Sequence, residues 1–335
     1  MPRKSRLDAP GTLHHVIIRG IERRKIYRST DDYEDFIGRL STLLPETKTA
    51  CYAWVLMGNH AHFLFRSGPY GIATLMRRLL TGYAVSFNRR HHRHGQLFQN
   101  RYKSIVCQED SYLKELVRYI HLNPVRAKMV PDINGLKKYP YCGHGFIVKS
   151  VKNHWQDVNY VLKFFSDKKS DARKRYLAFV EAGIDQGRRS DLTGGGLIRS
   201  FGGWTEVKKN RQKGMGRIKG DQRILGDSDF VQSVLNIANE TMERKTALMR
   251  SGITQKDIAR RVACIFEIEP GEIFIKDRRK RLSEARGVFC YWSVRELGIS
   301  LSNLARDLSI TISGVSVAVK RGEMVVRQGG YQLDE

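Results

Sequence analysis

Two apolar runs, Thr49–Met57 and His60–Arg66, are separated by the dipeptide Gly58-Asn59. A two-residue Gly/Asn break between β-rich runs predicts a tight hairpin. The hairpin constrains the rest of the chain, because its turn fixes the register and the register fixes which side chains share a face. Residues two apart on a strand point the same way. His60 and His62 therefore project together, while Ala61, Phe63 and Phe65 project into a core. Two imidazoles side by side on a stiff strand make half of a metal site. The competing reading is a pair of histidines on a solvated strand face.

Around the hairpin the pattern is regular. Thr12–Arg19 reads as a strand. Asp31–Leu44 reads as a helix capped by Thr30 and ended near Pro45, with Phe36, Ile37, Leu40, Leu43 and Leu44 at helical spacing. A helix is expected from Ile72 to Arg89 and a strand over Tyr102–Cys107. A further helix, capped by Asp110 or Ser111, should run to about Asn123. The order β-α-β-β-α-β plus one helix predicts an α+β domain, a ferredoxin-like antiparallel sheet with helices on one face. On the last helix Leu113, Leu116, Val117 and Ile120 form the buried stripe. Tyr119 and Asn123, four apart, share the flanking face. Tyr112, two turns earlier, is a competing tyrosine.

Charge narrows the partner. The chain has 335 residues, with 59 Lys and Arg against 34 Asp and Glu, a net charge of +25. Such an excess favours a polyanion, most often nucleic acid. The loop Asn88–Gly95 is cationic, and Arg89, Arg90, Arg93, Arg101 and Lys103 are candidate DNA contacts. Phe87, Phe98 and Tyr102 are candidates for base stacking, and His91, His92 and His94 for facing phosphates. The 5 cysteines are scattered without a Cys-x-x-Cys pair, which argues against a disulfide framework or zinc knuckle. The basic N-terminus lacks an apolar run, so neither a signal peptide nor a membrane span is expected, and a cytoplasmic, nucleoid-associated location is.

Three domains are expected: 1–150, a connecting region over 151–245, and 246–335. The connecting region shows two short helical runs, Tyr160–Phe165 and Arg175–Val180, then glycine pairs and triplets and the basic run Lys208–Lys219. In the last domain, helices are expected over Thr254–Phe266 and Ala285–Leu297, with a basic turn Lys276–Arg281 between them. Ser300–Leu308 and Thr311–Lys320 then read as a helix-turn-helix, whose second helix enters a major groove. Arg278, Arg279, Lys280, Thr311 and Ser313 are its candidate DNA contacts.

These residues carry two resemblances. His60-Ala61-His62 resembles the signature of HUH single-strand DNA nickases. With the strand order and the run Tyr119–Arg126, residues 10–145 look like the Y1 transposases, the IS200-type and REP-associated tyrosine transposases. The resemblance implies Tyr119 as nucleophile, forming a 5′-phosphotyrosine, and His60, His62 and Asn123 as ligands of Mg²⁺ or Mn²⁺. Many IS200-type members carry Gln where this chain has Asn123. It also implies a single-stranded hairpin or repeat as substrate and, since IS200-type relatives are dimers, a homodimer as one expected assembly. Residues 250–325 resemble the DNA-binding domain of the DnaA replication initiator, which implies duplex binding. The match departs at Ile310-Thr311-Ile312-Ser313-Gly314, where the initiator has a polar run. The leading expectation is thus a tyrosine transposase. The rival is a non-catalytic regulator that binds DNA hairpins and uses the helix-turn-helix for recognition.

Overall fold

The computed structural model describes residues 7–149, 153–187, 189–195, 220–238, 252–275, 277 and 279–333. It divides into two compact units, Met1–Ala238 and Asn239–Glu335.

The first unit is built on a five-stranded sheet of order β2-β3-β1-β4-β5. Its strands are β1 (Leu13–Arg19), β2 (Ala50–Met57), β3 (His60–Arg66), β4 (Lys103–Cys107) and β5 (Ile224–Leu225). The hairpin forms as expected, with Met57 opposite His60 across Gly58-Asn59. Its tip is held from behind: Asn59 O accepts from Gly20 N at 2.8 Å, and Gly58 O accepts from Ile26 N at 2.9 Å. Gly20 permits this closeness, since a Cβ there would lie 2.1 Å from Arg24 O.

β1 pairs antiparallel to β3, with Ile17 opposite His62 and Arg19 opposite His60. The alternation then sorts the side chains. Val16, Ile18, Trp54, Leu56, Ala61, Phe63 and Phe65 share one face with helices α1 (Thr30–Glu46) and α2 (Gly71–Arg90). Leu13, Val55, Leu64, Ile105 and Cys107 lie in the other core, with Leu113, Leu116, Val117 and Ile120 of α3 (Glu109–His121). The two helices of the βαβ halves thus share one face, and the extra helix takes the other. Each such fully buried side chain contributes about 1.5–3 kcal/mol.

Several boundaries differ from expectation. Ser29, not Thr30, caps α1, because the Asp32 carboxylate completes a capping box with it. Pro45 lies inside the last turn of α1. Neither Asp110 nor Ser111 caps α3, which starts at Glu109. The Gln108 side chain instead binds Asp227, by Nε2 to Oδ2 at 2.7 Å.

The core of the first unit draws on residues well past 150. Helices α4 (Val158–Lys163) and α5 (Lys169–Glu181) bury Val161, Tyr176 and Val180 in the α3 core, joined there by Leu192 and Leu225. β5 pairs parallel to β4, so the sheet is mixed rather than antiparallel throughout. A two-residue strand is too short to show a period in sequence. The run Lys208–Lys219 lies outside the described residues.

The second unit is helical, with helices Gln255–Phe266, Lys280–Arg295, Leu301–Asp307 and Ile312–Gly329 around Ile258, Val262, Phe289, Leu304 and Val315. Thr254 caps the first, Ser300 the third and Thr311 the last. The last helix runs well beyond Lys320. Arg321-Gly322-Glu323 breaks its apolar pattern, but Gly322 is a packing point: a Cβ there would lie 1.9 Å from Gly287 O. The two longest helices of this unit therefore touch through their backbones.

Candidate active site

Four rings converge where α3 crosses the sheet. His60 and His62 project from β3 with ring centroids 5.3 Å apart. His15, on the same face of β1, stacks on His62 at 5.3 Å. The Tyr119 ring stands edge-on to both, 5.8 Å from His15 and from His62. Tyr119 is only 7% exposed and His15 is fully buried.

Burial keeps these imidazoles neutral. Desolvation, aided by the Arg19 charge, lowers His60 to about 4. His15 is lowered to about 4, again by burial first, against the opposing bond to the Leu192 carbonyl. His62 falls well below the ordinary value through burial, then through His15, His60 and Arg19. A divalent cation needs the neutral ring, so the donors are in the binding form at neutral pH. For His60 the tautomer is legible. Asn59 Nδ2 donates to Arg23 O at 2.9 Å, which turns Asn59 Oδ1 toward His60 Nδ1 at 2.6 Å. Nδ1 therefore carries the proton, and Nε2 keeps the lone pair.

Among the described residues no group of three or more His, Cys, Asp or Glu could hold a metal ion. A cation at His60 and His62 would need a different third donor, and an amide fits. Asn123 stands one turn beyond Tyr119, in the short helix Asn123–Arg126. Its Nδ2 donates to Tyr119 O at 2.9 Å and Ile120 O at 3.2 Å. With nitrogen engaged by those carbonyls, Oδ1 is the end left to accept a cation or a donor. The structure thus gathers His60, His62 and Tyr119 directly, and ties Asn123 to the same helix end.

Two residues that pack against these rings escaped the sequence reading. One is His15, hidden in a strand that reads as core. The other is Arg126, seven residues beyond Tyr119. Its guanidinium carbon lies 5.5 Å from the Tyr119 ring centroid. One Nη donates to Gly183 O at 3.2 Å, while Nε and the other Nη are buried with no partner among the described residues. The two-turn spacing from Tyr119 was the available signal. Tyr112, by contrast, lies toward Cys107, Asp191 and Asp227, and burial together with those groups pushes its phenol up.

The basic candidates separate by use. Arg89 and Arg101 are exposed. Arg90 and His91 both bind the buried carboxylate of Asp32. Arg93 holds its own loop through Asn88 and Gln96, and Lys103 donates to Thr193 O. Phe87 and Tyr102 are buried in the core rather than open to bases. In the second unit Arg279 pairs with Asp277, and Lys280 is exposed at the start of its helix. Thr311 accepts from Gly314 N at 3.0 Å as the cap, with the Ser313 hydroxyl 3.0 Å from its own. Arg278 lies outside the described residues.

Residues 11–123 match the family model described as "Transposase IS200 like". Over these residues the chain is similar to the IS200-like transposases. The domain's last matched residue is Asn123, so the match spans the histidine pair and Tyr119 and stops short of Arg126. A solved REP-associated tyrosine transposase bound to a REP hairpin is similar over 46% of this chain and 89% of that chain. The identity is 17% and the TM-score 0.38. No curated protein matches the chain. Among the described residues, no helix is long and apolar enough to cross a membrane.

Proposed function

We propose that the transposase domain nicks and rejoins single-stranded DNA through Tyr119, with Mg²⁺ or Mn²⁺ held by His60, His62 and Asn123. The observation that carries this reading is the Tyr119 ring packed against His62, beside two imidazoles kept neutral by burial. When bound, the cation supplies Lewis-acid charge withdrawal from the phosphate and a template for in-line displacement.

The chain's own residues do the rest. Tyr119 Oη attacks the phosphorus, and the bond from phosphorus to the 3′ oxygen breaks. The products are a 5′-phosphotyrosine and a free 3′-hydroxyl, the phenol proton balancing the one the leaving oxygen gains. A second 3′-hydroxyl reverses the exchange and rejoins the strand. Arg126 sets a positive charge beside the Tyr119 ring, with two buried donor nitrogens, Nε and one Nη, left to bind an oxyanion. Arg89 and Arg101 offer exposed cations to the sugar-phosphate backbone of a hairpin or repeat. The second unit binds duplex DNA, with Thr311 and Ser313 at the start of a groove-entering helix and Arg279 and Lys280 on phosphates.

The test is incubation of labelled hairpin DNA with the full chain and Mg²⁺, followed by a denaturing gel. A protein–DNA adduct is expected, and Tyr119→Phe, which keeps the ring against His62, should abolish it. An adduct that persists in Tyr119→Phe would transfer the role to another tyrosine, Tyr112 first. Tight hairpin binding without any adduct would favour the regulator reading.

A further inference from the structure

We propose that His15 is a positioning residue for the metal site, which with the Leu192 carbonyl fixes the proton of His62 on Nδ1 and so reserves its Nε2 lone pair for the cation. The inference rests on the reading of His60 and His62 as ligands.

The argument is a chain of donors and acceptors. His15 Nδ1 lies 2.9 Å from Leu192 O. A carbonyl oxygen only accepts, so Nδ1 of His15 carries a proton. His15 is fully buried, where an unpaired charged ring would be strongly disfavoured, so the ring is neutral and its Nε2 has a lone pair and no proton. His62 Nδ1 lies 3.0 Å from that Nε2, and must therefore be the donor. His62 is buried as well and neutral for the same reason, which leaves Nε2 unprotonated. Donation thus runs one way, from His62 through His15 to the Leu192 carbonyl. His60 reaches the same tautomer by a separate route, through Asn59 and the Arg23 carbonyl. Both proposed ligands offer the same nitrogen. A neighbour that fixes the tautomer and ring angle of a ligating histidine typically tunes metal affinity by about 10–100-fold.

The anchor of this relay lies outside the matched segment. Leu192 sits in the turn Ser190–Thr193, some 70 residues past the end of the family match at residue 123. Lys103 holds that turn through Thr193 O. The next described residue but one, Gly195, donates to Gln222 O at 3.1 Å, just ahead of β5. The neighbouring His14 plays no part, because it points to the other face and binds Thr12 and Ser104.

Two measurements on the full chain test this. In metal-free protein, a long-range ¹H–¹⁵N spectrum reads which ring nitrogen carries the proton, with His62 assigned by its loss in His62→Gln. The proton is expected on Nδ1, and a proton on Nε2 would overturn the proposal without any variant at His15. Calorimetric titration with Mn²⁺ then compares His15→Phe, which cannot accept from His62, with His15→Gln, whose amide oxygen can. The phenylalanine variant should bind about 10–100-fold more weakly, while the glutamine variant recovers most of the affinity. Unchanged affinity in His15→Phe overturns the relay and leaves the ligand assignment standing. Equal loss in both variants would assign His15 a packing role only and overturn it too. Unchanged affinity in His62→Ala overturns the ligand assignment, and the relay with it.

Discussion

The ring of Tyr119 stands at 77° to the imidazole of His62, their centroids 5.8 Å apart. A helix residue and a strand residue far apart in sequence are thereby locked at contact distance, and both are enclosed by core. In the proposed reaction, the oxygen of a tyrosine held this way would have little freedom to lose on attack, which would lower the barrier through orientation.

Arg126→Gln is expected to slow nicking by about 10²-fold, since it removes a charge aimed where negative charge builds. The residual adduct should still map to Tyr119. Single-turnover cleavage of labelled hairpin, with circular dichroism to check the fold, reads this directly. A rate equal to that of the unmodified chain would remove Arg126 from the chemistry.

Asp32 and Arg89 should behave oppositely. Asp32 is fully buried and binds Arg90, His91 and the backbone N–H of Arg28. Asp32→Ala strands those partners and should cost about 3 kcal/mol of stability in urea unfolding. Arg89→Ala should change stability by less than about 0.5 kcal/mol. It should instead weaken single-strand binding and flatten its salt dependence. Equal effects of the two on stability would contradict the division of labour among the basic residues.

The first unit should lose stability in mild acid. Burial lowers His14 and His144 to about 4 from 6.5. Between these values the unfolded chain binds protons that the folded chain refuses. Stability is therefore full above about 6.5 and falls as the pH drops toward 4. The melting temperature at pH 5 should lie at least about 5 °C below that at pH 7.5. His144→Gln should shrink the difference, and an equal difference in that variant would remove His144 as a cause.

Truncation should be tolerated at 238 and not at 150. Ending the chain near 150 removes Val161, Tyr176, Val180 and Leu225, all fully buried in the first unit. That shortened chain should aggregate or bind hydrophobic dye. One ending at Ala238 should melt cooperatively, nick hairpins and bind duplex DNA poorly. Equal duplex binding by that chain would sink the DNA-binding role of the second unit.

Legibility followed the range of the interactions. The hairpin, the His60/His62 face and the α3 stripe depend on neighbours within a few residues, and period alone reveals them. The placing of Asn123 beside Tyr119 was legible because its turn of helix is local. His15 was not, since its two partners lie 47 and 177 residues away and its strand reads as ordinary core. Arg90 and His91 looked like free cations because their counter-charge, Asp32, comes from a different helix. β5 was missed for the same reason: two residues carry no pattern, and only the β4 edge makes them a strand.

The late arrival of β5 and Leu192 sets a schedule for synthesis. The ribosome finishes Tyr119 long before it reaches Leu225, and at ordinary elongation rates the interval is on the order of 5–20 s. Until then the β4 edge lacks its parallel neighbour and His15 lacks its carbonyl. A nascent chain would thus carry Tyr119 before its pocket is sealed, so the order of translation itself would hold back the proposed nicking until Leu225 has been made.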